Sequence, residues 1–220
     1  MGYRTPVEHP PFCASLEAQY QTLVAGSRGG ALTREQFAEI VPDHFRAMRE
    51  RDFNPHTILN SFMLRERYIR DIGFLVITEG YLNSLTRLVR GRRVLEVCAG
   101  KGLLQGLMRG RGIDWTSTDT DPWTGDITSM PALEAVEHFQ PEVVFASWVD
   151  YGSPLDTELA QRVPCVLLKE DCTGSESLWD RDGFDIRHLP DWFEDVPNWP
   201  GIHDRTLMTV PTGQSNPFPE

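Results

Sequence analysis

A glycine turn and a downstream carboxylate in this chain have the types and spacing that suit a ribose-containing ligand. The turn, Gly100-Lys101-Gly102, follows an apolar run that holds one acid, Glu96. Glycine lets a ligand approach the backbone, and a helix that begins after the turn presents free N–H groups. A second apolar segment ends on Asp119, 17 residues after Gly102. A carboxylate at a strand tip accepts hydrogen bonds from both ribose hydroxyls, so the two features together predict a ligand with a ribose.

The glycine spacing departs from the dinucleotide-binding pattern. That pattern, G-x-G-x-x-G/A, requires a third small residue where the helix packs on the strand. Counted from Gly100, the third position is Gln105, and Gly106 falls one residue late. Glu96 lies inside the strand, where pyrophosphate binding gives no reason for a negative charge. A ligand that carries a cation or an amine does give one, although Glu96 could also be only a strand-edge charge.

The series resembles motif I of the class I S-adenosylmethionine-dependent methyltransferases. The family pattern, acid-x-G-x-G-x-G, corresponds here to Glu96-Val97-Cys98-Ala99-Gly100-Lys101-Gly102, with Cys98 in place of the first glycine. The resemblance covers roughly residues 68–172 and implies S-adenosyl-L-methionine as the cofactor. It also implies cofactor contacts from this turn, namely from Glu96, Cys98, Ala99, Gly100 and Gly102.

Further cofactor contacts are implied by the resemblance in the loops after the second and third strands. The acid that ends the second strand holds the ribose in this family, which matches Asp119 with its neighbour Thr120. Asp121 competes with Asp119 for that role, and one of the two could simply start the following turn. An acid–apolar pair in the next loop contacts adenine, which matches Asp126 and Ile127.

Residues 147–151, here called the acceptor segment, follow the fourth strand, where the family places the methyl donor beside the acceptor. Ser147 and Trp148 are expected to contact the cofactor, although Trp148 could instead pack in the core. The segment shares only Tyr151 with the D/N/S-P-P-Y/F motif of amino-methylating enzymes, because Val149 and Asp150 replace both prolines. The resemblance therefore does not extend to nucleobase N-methylation. Asp150 is the candidate general base for a hydroxyl or ammonium acceptor, and Tyr151 the residue that orients it.

The elements that must position these residues alternate from residue 93 onward. Strands are predicted at 93–98, 113–118, 142–147, 164–169, 184–189 and 205–210, with a third strand of the unit nearly absent. Helices are predicted at 102–109 and 130–139, and further helices begin near residues 153 and 176. This alternation predicts an α/β fold, a Rossmann-like parallel twisted sheet with helices on both faces. Its ligand site lies at the carboxyl ends of the strands.

The first ninety residues have helical rather than strand patterns. Apolar spacing predicts helices over 15–24, 60–71 and 78–90, and Thr33 to Gln36 has the spacing of a capping box. We therefore expect an N-terminal helical extension or cap over 1–90, a Rossmann-like S-adenosylmethionine-binding domain over 91–210 and a tail over 211–220.

Composition narrows the class of protein. The chain has 220 residues, 40% of them hydrophobic, and a net charge of −11. No run approaches the roughly 18 apolar residues of a membrane span, and the N-terminus lacks a signal-peptide pattern. Four cysteines without C-x-x-C spacing predict reduced thiols in a cytoplasmic protein, and zinc-ligand spacing is missing, so no metal is expected. The acidic balance disfavours a nucleic-acid partner, which leaves a small-molecule or protein acceptor.

Three functions remain open on the sequence. The first is a methyltransferase acting on a small molecule or protein. The second is a non-methylating enzyme on the same fold, either cofactor-cleaving or NAD-linked. The third is a catalytically silent binding module. Near the predicted site, Lys169 and Glu170 end the fifth strand and are expected to pair, if at all, with one another.

Overall fold

The structure is a computed structural model that describes residues 12–42, 55–170 and 172–219. The chain divides into two compact units. The first contains Met1–Glu79 with Pro197–Gly201, and the second contains Gly80–Val196 with Ile202–Glu220. All of the site residues named above therefore belong to the second unit.

The first unit is helical in the residues that the structure describes. Its helices are α1 (Ala14–Gly29), α2 (Arg34–Ile40) and α3 (Pro55–Asp71). The capping box at the start of α2 is present, because Gln36 N donates to Thr33 Oγ1 and Thr33 N donates to Gln36 Oε1. Trp199 supplies part of this core, with its ring 5.3 Å from Phe37 and 5.6 Å from Tyr68.

The second unit contains the alternating elements. They are α4 (Glu79–Leu88), β1 (Arg93–Val97), α5 (Leu103–Arg109), β2 (Asp114–Asp119), β3 (Thr128–Ser129), α6 (Ala132–Phe139), β4 (Val143–Ser147), α7 (Leu155–Ala160), β5 (Cys165–Lys169), a 3₁₀ turn (Glu176–Asp180), β6 (Phe184–Arg187) and β7 (Arg205–Pro211). Every strand predicted from the sequence is found, and the nearly absent third strand is the two-residue β3.

The strands form one seven-stranded sheet in the order β3-β2-β1-β4-β5-β7-β6. The first five in chain order pair in parallel, whereas β7 runs antiparallel to both β5 and β6. The predicted α/β fold is confirmed, with β7 as the exception to a purely parallel sheet. A parallel pair needs a crossover connection, usually a helix, and residues 188–204, all of them described, contain no helix between β6 and β7.

The sheet is covered on both faces. One face packs on α6 and α7 through the side chains of Leu95, Val97, Val144, Ala146, Cys165 and Leu167. Helix α5 lies along β2, where Ser117 N donates to Gln105 Oε1 at 2.9 Å. Double coverage explains why the central strands are nearly continuous apolar runs. The tail predicted over 211–220 is anchored at Phe218, which is buried.

Candidate functional site

Three predicted site segments meet at one edge of the sheet. The strands β2, β1 and β4 are neighbours, and they end at Asp119, Val97 and Ser147. The chain leaves β1 toward β2 on one side and reaches β4 on the other, so the order of the strands reverses between β1 and β4. A crevice outside the carboxyl ends of such strands is where open α/β sheets bind ligands.

The glycine turn, residues 98–102, follows β1 in a left-handed backbone conformation. Cys98, Gly100 and Gly102 have φ values of 57°, 54° and 67°. A side chain at Gly100 would meet no protein atom within 4 Å, whereas one at Gly102 would collide with Ile127. The open side of the turn is therefore at Gly100. Cys98 adopts the conformation of the glycine that it replaces, which costs an L-residue roughly 1–2 kcal/mol.

Asp119 joins the end of β2 to the glycine turn. Its Oδ2 accepts a hydrogen bond from Gly100 N at 2.8 Å, and its Oδ1 accepts one from Asp121 N at 2.9 Å. Each carboxylate oxygen has a second lone pair, so both can still accept from the hydroxyls of a ribose. Asp121 is exposed and contributes its backbone N–H to this arrangement. The geometry thus favours Asp119 over Asp121 as the acceptor.

The loop between β2 and β3 packs on the glycine turn. Trp123 N donates to Gly100 O at 2.9 Å, and the Lys101 ammonium lies 5.0 Å from the centre of the Trp123 ring. Ile127 is buried against Gly102, while Asp126 is exposed on the same loop. Sequence reasoning assigned Trp123 to packing or a lid and gave it no ligand contact. The structure places it half-exposed beside the turn.

Thr120, the neighbour of Asp119, contributes its backbone rather than its side chain to the observed contacts. Its carbonyl accepts a hydrogen bond from Ser129 Oγ at 3.4 Å, and Met130 N donates to Asp119 O at 3.0 Å. These bonds fix the path of the chain where it leaves β2 and passes β3.

Glu96 is buried beneath the turn and is held by β2. Its Oε2 accepts hydrogen bonds from Trp115 Nε1 at 2.9 Å and from Ser117 Oγ. Burial raises the pKa of Glu96 to about 7, although these two hydrogen bonds act to lower it, and the charge of Asp119 raises it further. Both bonds fall on one oxygen. Trp115 and Ser117 were not identified from the sequence, since the cross-strand register that brings Ser117 opposite Glu96 is not visible there.

The acceptor segment leaves β4 through a second left-handed residue, Trp148, whose φ is 54°. Val149 is buried, Asp150 is exposed, and Tyr151 is 71% exposed. Burial raises the pKa of the Cys98 thiol to about 12, and the charges of Asp119 and Asp150 add to that rise. Asp150 therefore lies close enough to the glycine turn to act on it electrostatically. The Tyr151 ring is directed into solvent rather than into an enclosed pocket.

Other kinds of site were sought in the residues that the structure describes. No group of three or more His, Cys, Asp or Glu side chains there could hold a metal ion. None of the helices in the described ranges combines the length and the hydropathy that a membrane span needs.

Comparison with known proteins finds no matching family model and no match among curated proteins. Solved structures match weakly. The mitomycin 7-O-methyltransferase MmcR has a TM-score of 0.43 and 12% identity, over 90% of this chain and 69% of its own. The riboflavin-derivative dimethyltransferase RosA from Streptomyces davawensis has 0.37 and 12%, over 90% and 70%. A mutant of MtNAS has 0.39 and 9%, over 91% and 99%. Values this low do not assign a function.

Proposed function

We propose that this protein is an S-adenosyl-L-methionine-dependent methyltransferase that acts on a small-molecule or protein acceptor. The observation that carries the proposal is the hydrogen bond from Gly100 N to Asp119 Oδ2, 2.8 Å long, at the point where the strand order reverses. It places a carboxylate with free lone pairs beside a stretch of backbone that carries no side chain on its open side. A ribose and the chain attached to it fit that combination.

The helix after the turn argues against a dinucleotide. The dinucleotide pattern needs a small third residue so that the helix packs closely on the strand. Here that position is Gln105, whose side chain fills the space between α5 and β2 and accepts a hydrogen bond from Ser117 N at 2.9 Å. A nucleoside ligand does not require that close approach, because it has no pyrophosphate to seat on the helix.

The residues present fit the cofactor in three places. Asp119 would accept the ribose hydroxyls, the open side of Gly100 would accommodate the chain that carries the sulfonium, and Ile127 would form an apolar wall. Glu96 would place negative charge under the positively charged end of the ligand. When bound, S-adenosyl-L-methionine supplies a methyl group on an already electrophilic sulfonium carbon.

The protein then contributes mainly position and the exclusion of water. The acceptor segment runs from the end of β4 beside the glycine turn, so it would hold the acceptor in line with the methyl group. Asp150 would take a proton from a hydroxyl or ammonium acceptor, and Tyr151 would orient that acceptor from the solvent side. Exposed carboxylates at Asp121, Asp126 and Asp150 surround the site. They repel phosphate backbones and so support a small-molecule or protein acceptor.

The test is binding of S-adenosyl-L-methionine and S-adenosylhomocysteine by isothermal titration calorimetry, with mass spectrometry of the purified protein to find any retained ligand. We expect Asp119→Ala to weaken binding by about 1.5–3 kcal/mol, the range for hydrogen bonds to a charged group. Asp121→Ala is the matched control, since it removes a neighbouring carboxylate and keeps the backbone N–H that bonds to Asp119, and it should bind as the wild type does.

Each alternative function gives a different result. Retained NAD would support the NAD-linked enzyme, and no heat with either ligand at millimolar concentration would support the silent binding module. Equal losses in both aspartate variants would mean that general electrostatics, not a ribose contact, governs affinity. A screen for the acceptor that follows S-adenosylhomocysteine release would test the acceptor class, and preferential methylation of DNA or RNA would contradict it.

A further inference from the structure

Lys169, the last residue of β5, and Asp156, in the first turn of α7, form an ion pair that is nearly sealed from solvent. Lys169 Nζ lies 3.2 Å from Asp156 Oδ2, and the two side chains are 7% and 4% exposed. The neighbouring cavity has a volume of about 10 Å³, at the lower limit for one water molecule. The two charges therefore interact in a largely dry environment.

The pair collects the backbone of residues 172–175. Lys169 Nζ donates to Thr173 O, and Ser175 N donates to Asp156 Oδ2 at 3.0 Å. Between these two contacts Gly174 adopts a left-handed conformation with φ of 61°, and a side chain there would collide with Asp156 and crowd the Lys169 ammonium. This short stretch of backbone thus lies directly against both charges.

Gly174 in turn holds the acceptor segment. Gly174 N donates to Val149 O at 2.8 Å, and Gly152 N donates to Gly174 O at 2.9 Å. These two hydrogen bonds bracket Asp150 and Tyr151, the two residues with proposed roles toward the acceptor. A continuous series of contacts therefore leads from the ion pair through Gly174 to the acceptor segment.

We propose that Lys169 and Asp156 are positioning residues that hold the acceptor segment in place through Gly174. The inference rests on the proposed function for its catalytic consequence, while the structural link to residues 149–152 stands without it. The pair touches neither the glycine turn nor Asp119 in the structure, so it acts on the acceptor side only.

The energetics of buried charge favour a positional role over a simply stabilising one. Taking two charges out of water costs free energy that their attraction barely repays, and apolar residues of similar size often stabilise a protein equally well. Such a pair does, however, demand one geometry. Lysine is also unusual in this chain, which has 19 arginines and only two lysines, Lys101 and Lys169. A compact ammonium with three donors suits two acceptors on different segments better than a planar guanidinium does.

Hydrogen exchange tests the structural link without any need for methyl transfer. In the double variant Lys169→Met/Asp156→Asn, the amides of Gly152 and Gly174 should exchange at least tenfold faster than in the wild type. The amide of Val144, which bonds to Pro164 O at the base of β4, should be unchanged. The control is Arg187→Met, which removes the cation of the exposed pair with Asp185 on β6 and should alter none of these rates.

Gly174→Ala provides a second route to the same result, because it displaces the turn and leaves both charges in place. It serves if the double variant does not fold. Unchanged exchange at Gly152 in the folded variants, or faster exchange at Val144 to the same extent, would overturn the proposal and leave the pair as a general stabiliser.

Kinetics then separate positioning from stability. With an active acceptor, the double variant should lower kcat at least tenfold and change the S-adenosylhomocysteine dissociation constant by less than threefold. Lys169→Arg should recover part of the loss, because it keeps the charge. An equal loss of ligand affinity would contradict an acceptor-side role. A wild type that binds no S-adenosyl-L-methionine would refute the proposed function, yet would leave the exchange result to decide the structural link.

Discussion

Replacing Gly100 by alanine separates the cost of backbone conformation from the cost of a blocked ligand. Gly100 has φ of 54°, and no protein atom lies within 4 Å of the position that a methyl group would take, so Gly100→Ala should not clash with the protein. Its only structural penalty is the left-handed conformation, about 1–2 kcal/mol for an L-residue. In the bound state, however, the new methyl group would occupy the surface that the ligand approaches. We expect S-adenosylhomocysteine affinity to fall at least tenfold, or about 1.4 kcal/mol.

Gly112 offers a matched control within the same unit. It has φ of 77°, also without a neighbour within 4 Å, and it lies in the turn between α5 and β2 away from the carboxyl ends of the strands. Gly112→Ala should therefore lose the same 1–2 kcal/mol in urea denaturation while calorimetry shows unchanged affinity. If Gly100→Ala binds as tightly as Gly112→Ala, the glycine turn does not face the ligand and the site has been misplaced.

Two further predictions concern stability. Glu96 has a pKa of about 7 in the folded protein against 4.5 as its ordinary value, so the folded state binds the proton more tightly. Its contribution is complete below about pH 4.5 and is lost as the pH rises through 7. The free energy of unfolding of the wild type, relative to Glu96→Gln, should fall by about 2–3 kcal/mol between pH 5 and 8, and a constant difference would contradict the burial effect. Arg181 is exposed with φ of 56° after the 3₁₀ turn, so Arg181→Gly should raise the free energy of unfolding by about 0.5–1 kcal/mol in urea, and a decrease would refute the strain argument.

The order of strands and helices in the second unit was predictable because buried parallel strands are continuous apolar runs that contrast with amphipathic helices. The antiparallel β7 was not, since a strand pattern carries no direction. Its placement follows from the absence of a helix in residues 188–204, a described segment whose sequence has several turn residues but no clear topological signal.

The candidate site was predictable where a residue type signals a conformation or a charge, as at Gly100 and Asp119. The left-handed conformations of Cys98 and Trp148 carry no such signal, because neither residue type prefers a positive φ. The expected pairing of Lys169 with Glu170 is wrong. Lys169 pairs with Asp156 instead, since neighbouring residues along an extended chain project to opposite sides and a partner must come from another element.

The contribution of Trp199 to the first unit has a consequence for the order of events during synthesis. The ring lies among Phe37 and Tyr68, yet it is encoded about 130 residues after the last helix of that unit, which at 5–20 residues per second means a delay of roughly 6–26 s. During that interval the nascent helices lack a buried aromatic side chain and expose the surface that later receives it. The N-terminal helices thus cannot mature vectorially ahead of the rest of the chain. Their completion waits until almost the whole polypeptide has left the ribosome.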